Sequence, residues 1–95
     1  MRETIAKILD EIPQGNIFDS HYVIFQLIKF HSDVYLTFAG GINADVDRTI
    51  IAHGNIGREI ATFVQEGIIS QLDAHSWSEN IHGRSNFCTA WKKLL

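Results

Sequence analysis

The chain has 95 residues, 45% of them hydrophobic and 20% charged, with a formal net charge of −3. One domain fits that length, the apolar content is enough for a core, and disorder would need fewer apolar and more charged residues. The charge balance excludes binding of nucleic acid by a basic tract alone: residues 1–53 carry four basic and seven acidic side chains, and residues 54–95 carry four of each.

The single cysteine, Cys88, leaves no internal disulfide and fits a reducing compartment. Charges spread through Met1–Asp10 are unlike a signal peptide, and no stretch approaches the roughly 20 apolar residues of a membrane span. A soluble, cytoplasmic protein is expected, with no membrane partner.

From the N-terminus, Ile5, Ile8, Leu9 and Ile12 recur at helical spacing and predict a helix over Glu3–Ile12, ended by Pro13 and Gly15. Asp19 or Ser20 is placed to cap a second helix, whose stripe is Val23, Ile24, Leu27 and Ile28 and which ends near His31. Val34, Leu36 and Phe38 alternate with Tyr35 and Thr37, which predicts a short strand over Ser32–Ala39, although Ser32 or Asp33 could instead cap a helix. Gly40–Asn43 reads as a loop. Asp45–His53 reads as a short helix broken at Gly54, followed by a helix over Asn55–Gln65 with Ile56, Ile60, Phe63 and Val64 on one face. Gly67 stops that helix in a left-handed conformation.

Beyond Gly67, Ile68, Ser70, Leu72 and Ala74 share one side of a strand, and Asn80–Arg84 is turn material. The tail has two readings. As a strand it faces Phe87, Thr89 and Trp91 to one side; as a helix capped by Ser85 it stripes Phe87, Cys88, Trp91, Leu94 and Leu95.

The pair Asp45–His53 and Asn55–Gln65, with Gly54 as the turn, resembles a helix-turn-helix. Together with the hairpin that follows, the order helix, strand, helix, helix, hairpin from Ser20 onward resembles a winged helix. The fold class expected is therefore α+β: a single domain over 1–95, with an N-terminal helix and turn at 1–17 and a winged helix-turn-helix-like core at 18–95 ending in a β-hairpin.

The resemblance implies a non-catalytic DNA-binding or transcription-regulatory module, with double-stranded DNA and a second copy or another protein as the partners to expect. Arg58, Thr62 and Gln65, at i, i+4 and i+7, would face DNA; Asn55 at the helix start would meet a phosphate; Arg84 and His82 would contact the backbone from the wing, Asn80–Ser85. Gly54-Asn55-Ile56-Gly57-Arg58-Glu59-Ile60 also resembles the G-x-x-G loop of KH domains, which implies single-stranded RNA and needs a C-terminal helix.

Other constellations carry less. The gaps between His75, His82 and Cys88 match no zinc pattern, so neither metal nor cofactor is expected. Asp19-Ser20-His21 are adjacent, so their side chains diverge and cannot form a nucleophilic relay; Cys88 lies among Phe87, Thr89 and Ala90 like a packing residue. No enzyme is expected. Trp91 reads as core, and Trp77, between Ser76 and Ser78, as an exposed residue of a partner surface or dimer interface.

Overall fold

The computed structural model describes residues 1–43 and 47–95. The domain is α+β, in the order α1 (Arg2–Asp10), β1 (Ile17–Asp19), α2 (Ser20–Phe30), α3 (Ser32–Gly40), α4 (Arg48–Thr62), β2 (Ile69–Gln71), β3 (Ser76–Glu79), β4 (Ser85–Cys88) and β5 (Ala90–Lys93). The strands form two antiparallel sheets, one of order β1-β5-β2 and one the hairpin β3-β4. No helix among the described residues is long and apolar enough to cross a membrane.

The first two helices follow their local signals. Ile5, Ile8 and Leu9 bury the inner face of α1, and Ile12 extends that face past its end. The Asp19 carboxylate caps α2, Oδ1 accepting from the Tyr22 N–H at 2.8 Å, which satisfies one of the free amides of the first turn. Val23, Ile24 and Leu27 of α2 are buried beneath it.

Ser32–Gly40 is a helix, not the expected strand. A strand would place Val34, Leu36 and Phe38 on one face, but Leu36 is 65% exposed, while Tyr35 and Ala39, four residues apart, are buried. Packing against the core thus overrides the β-type composition of the segment. His31 separates α2 from α3, with φ −137° and ψ 42° breaking the helical path.

Arg48–Thr62 is one continuous helix, so the expected turn at Gly54 does not exist. Asp47 caps it, accepting from the backbone N–H of Thr49 at 2.9 Å and from its hydroxyl at 2.6 Å. The expected start at Asp45, and Val46 behind it, lie outside the described residues. Ala52, Ile56 and Ile60 recur every four residues and are fully buried, with Phe63 after them. Each isoleucine so buried contributes about 1.5–3 kcal/mol, which outweighs the roughly 1 kcal/mol that each of Gly54 and Gly57 costs inside a helix. The same finding removes the G-x-x-G loop, since both glycines are helical, and the C-terminal helix of the KH resemblance is replaced by strands.

Gly67, at φ +73°, stops the last turn as expected. Its N–H donates to the Val64 carbonyl and that of Ile68 to the Phe63 carbonyl, at 3.1 and 3.3 Å, which closes the helix end with the paired bonds of a Schellman cap. The tail is strand throughout. β5 runs between β1 and β2, with Phe18 and Gln71 both opposite Trp91 and with Ile17 and Ser70 both opposite Lys92.

Toward the loop the ribbon continues as β3-β4, with Ser76 opposite Cys88 and Trp77 opposite Phe87. Between the two ladders Leu72–His75 faces only Thr89 and Ala90, so the longer side bulges and the hairpin bends away from the main sheet. Trp91 fills the core as expected, its indole N–H donating to Ser20 Oγ at 3.1 Å.

Candidate functional site

The bend directs the hairpin back along α4. A groove of about 540 Å³ lies between them, with Gly54, Gly57 and Arg58 on the helix side and His82, Asn86 and Phe87 on the hairpin side. The loop that closes the hairpin is organised by Asn80, whose Oδ1 accepts from the N–H groups of His82 and Arg84 at 2.9 and 3.2 Å, while Gly83 takes φ +75°. His82 Nε2 reaches 3.5 Å from the Thr49 hydroxyl, so the loop meets the first turn of α4. Arg84 is exposed at that loop.

The four expected contact residues of this helix divide into two groups. Arg58 donates to Asn55 Oδ1 at 2.7 Å, and Arg58 opens onto the groove. Thr62 donates to the Glu59 carbonyl and accepts from Arg2 Nε of α1, at 2.7 and 3.3 Å. Arg2 also pairs with Glu66 at 2.7 Å and covers the Phe63 ring at 4.1 Å. Gln65 lies in the turn after the helix, exposed. Arg58 and Thr62 therefore differ in what they offer: the first is accessible, the second is engaged by a neighbouring helix.

His53 points from α4 to α3, where its Nε2 shares a 2.8 Å hydrogen bond with the Tyr35 hydroxyl. Burial holds this imidazole below the usual histidine range, and the nearby His82 and His21 push the same way against the attraction of Asp47. Burial raises the Tyr35 phenol, as does the Asp47 charge.

A second cluster lies at the start of α2, where β3 and β4 cross it. Asp19 Oδ2 accepts from Ser76 Oγ at 2.7 Å, His21 Nδ1 shares a 2.6 Å hydrogen bond with Ser78 Oγ, and Ser78 Oγ is 3.8 Å from Cys88 Sγ. Donor atoms of Asp19, His21 and Cys88 all fall within 4.8 Å of one another. Burial works to raise the Asp19 carboxyl, but the hydrogen bonds from Ser76 and the Tyr22 N–H outweigh it and hold the group below the usual carboxylate range. Burial pushes the Cys88 thiol up, with the Asp19 charge adding to it against the backbone amides of His21 and Ser20. A thiol kept protonated in this way is a poor nucleophile.

This cluster escaped the sequence reading. Asp19 and His21 each sit 57 residues before the serine they bond, and only strand pairing brings them together. The one local signal is the alternation Ser76-Trp77-Ser78, which turns both hydroxyls inward and the indole outward. Trp77 is 62% exposed, and it meets Phe87, 67% exposed, edge to face with centroids 4.8 Å apart.

Comparison of the chain with protein-family models, with curated proteins and with solved structures finds no significant match.

Proposed function

We propose that this chain is a non-catalytic regulatory module of the winged-helix type that binds double-stranded DNA through α4 and the hairpin loop. The observation that carries this reading is the strand order β1-β5-β2, with α2, α3 and α4 inserted between β1 and β2 and a hairpin extending β2 and β5 beside α4. A winged helix has that strand order and its reading helix last before the wing, with two helices where this chain has three between β1 and β2. In this assignment α4 is the reading helix and Asn80–Ser85 the wing.

Arg58 and Arg84, with Arg48 on the first turn of α4, supply the positive contacts, and the glycine edge at Gly54 and Gly57 lets a phosphate backbone approach the helix closely. Thr62 and Gln65 take a lesser part, since Arg2 and Glu66 surround that end. With about three phosphate contacts, log K should fall against log salt with a slope near −3. Anisotropy titration of labelled duplex at low and raised salt tests the reading. Absence of binding even at low salt would sink it.

A protein-interaction or dimerisation role on the same domain is favoured by a different observation, the exposed Trp77–Phe87 pair. Aromatic pairs of this kind concentrate binding energy at interfaces. Sedimentation at high concentration distinguishes the homodimer, and a strict monomer whose duplex binding survives Trp77→Ala would leave DNA as the partner.

A further inference from the structure

We propose that Asp19, His21 and Cys88 form a binding site for a zinc-class divalent cation that ties the hairpin to the start of α2. The site needs no nucleic acid and uses none of the residues assigned to DNA contact, although His21 and Cys88 line the same groove as Gly54, Arg58 and His82.

The donor set is one carboxylate oxygen, one imidazole nitrogen and one thiol sulfur. Soft and borderline donors of this mixture suit Zn²⁺ or Co²⁺, whereas Ca²⁺ and Mg²⁺ take oxygen shells. Bond lengths of about 2.0–2.3 Å in a tetrahedral site put donors roughly 3.3–3.8 Å apart. The three donors here lie within 4.8 Å, so a contraction of about one ångström by side-chain rotation completes the arrangement.

The supports for such a site are already in place. His21 is 92% buried (8% exposed) and its ring is oriented by Ser78, while Ser76 fixes the Asp19 carboxylate. Hydrogen bonds of this sort set the tautomer and direction of metal ligands. The ligands also come from distant parts of the chain, Asp19 and His21 from the corner between β1 and α2 and Cys88 from β4. A cation there would cross-link them and set the tilt of the hairpin over α4. Three protein ligands leave a fourth position for water. On coordination the Cys88 S–H bond breaks, its proton goes to solvent and a metal–sulfur bond forms, with no change of oxidation state.

The test adds Co²⁺ to the full chain and records its absorption, with Zn²⁺ calorimetry in parallel. One ion per chain is expected, with the near-ultraviolet thiolate-to-cobalt band and the visible bands of a tetrahedral site. Cys88 is the only cysteine, so the band identifies its ligand. Cys88→Ala, checked for folding by circular dichroism, should abolish the band, and Asp19→Asn, which retains a capping side chain, should weaken binding by about tenfold or more. His21→Asn should do the same, and His75→Gln, an exposed neighbour, should change nothing. No thiolate band in the parent chain, a stoichiometry of one ion to two chains, or unchanged affinity in Asp19→Asn would each overturn the site; should His21→Asn unfold, Asp19→Asn and Cys88→Ala decide. Run without DNA, this outcome is separate from that of the duplex titration.

Discussion

The hydroxyl of Tyr35 and Nε2 of His53 lie 2.8 Å apart and tie α3 to α4. Both groups are shifted by burial toward their neutral forms, the imidazole down and the phenol up. For His53 the sign is definite. The unfolded chain binds a proton near the ordinary value of 6.5 and the folded chain only at lower pH, so the stability this site contributes is complete above 6.5 and is lost as pH falls toward the folded value. Denaturant midpoints should therefore drop between about pH 7 and pH 5, and His53→Gln should flatten that slope. An unchanged slope in the variant would assign the effect elsewhere. Asp19 and Asp47, both held below 3.8, lose their contribution in a separate and more acid window.

Lys93, 4% exposed at the end of β5, donates through Nζ to the carbonyls of Leu9 and Ile12, the latter at 3.0 Å. A lysine at this place adds a charged donor to carbonyls at and just beyond the end of α1. Lys93→Met keeps most of the buried stem but removes the amine from both carbonyls, of which Leu9 still accepts from the Ile12 N–H at 3.1 Å, and should cost about 1–3 kcal/mol in urea unfolding. Lys92→Met, exposed on the opposite face of the same strand, should stay within about 0.5 kcal/mol. Equal effects at the two positions would refute the role of the Lys93 amine.

Ser20 has a comparable position in the interior. Its hydroxyl accepts from the Trp91 indole N–H at 3.1 Å and donates to the Thr89 carbonyl at 3.5 Å. Ser20→Ala leaves a buried donor without its acceptor, and should destabilise the domain by about 1–3 kcal/mol, with the Trp91 emission changing in step. Ser20→Thr, which retains the acceptor, should recover part of that loss.

What could be read from the chain depended on how local each signal was. A cap at Asp19 or Ser20, which Asp19 supplies, the Ile5–Ile8–Leu9 stripe, the stop at Gly67 and the turn at Asn80–Arg84 are each set within a few residues, and all four stand in the structure. Val34, Leu36 and Phe38 misled because their alternation is real, yet burial of Tyr35 and Ala39 against α2 and α4 decides the helix. The tail allowed two periods, and pairing with β1 and β2, at least 20 residues away, selects strand. Of the site residues, Asn55, expected at a helix start where free amides could help it meet a phosphate, lies inside α4, where it accepts from Arg58, and the engagement of Thr62 depends on Arg2, 60 residues earlier. The Asp19–His21–Cys88 cluster is a product of tertiary pairing alone.

Gly54 and Gly57 separate a helix from a turn, and stability from function. A Cβ at Gly57 would meet nothing within 4 Å, and at Gly54 only the Arg58 guanidinium at 3.9 Å. Inside a helix alanine is favoured over glycine by about 0.5–1 kcal/mol. Each of Gly54→Ala and Gly57→Ala should therefore raise the melting temperature, by about 4–8 °C for every kcal/mol in a domain of this size. A turn at Gly54 would give the opposite result, since a left-handed position penalises alanine. The added methyl groups also fill the floor of the groove, so duplex affinity should fall in the same variants while stability rises. If both variants were stabilised with affinity intact, α4 would remain one helix but its glycine edge would not be where DNA is met.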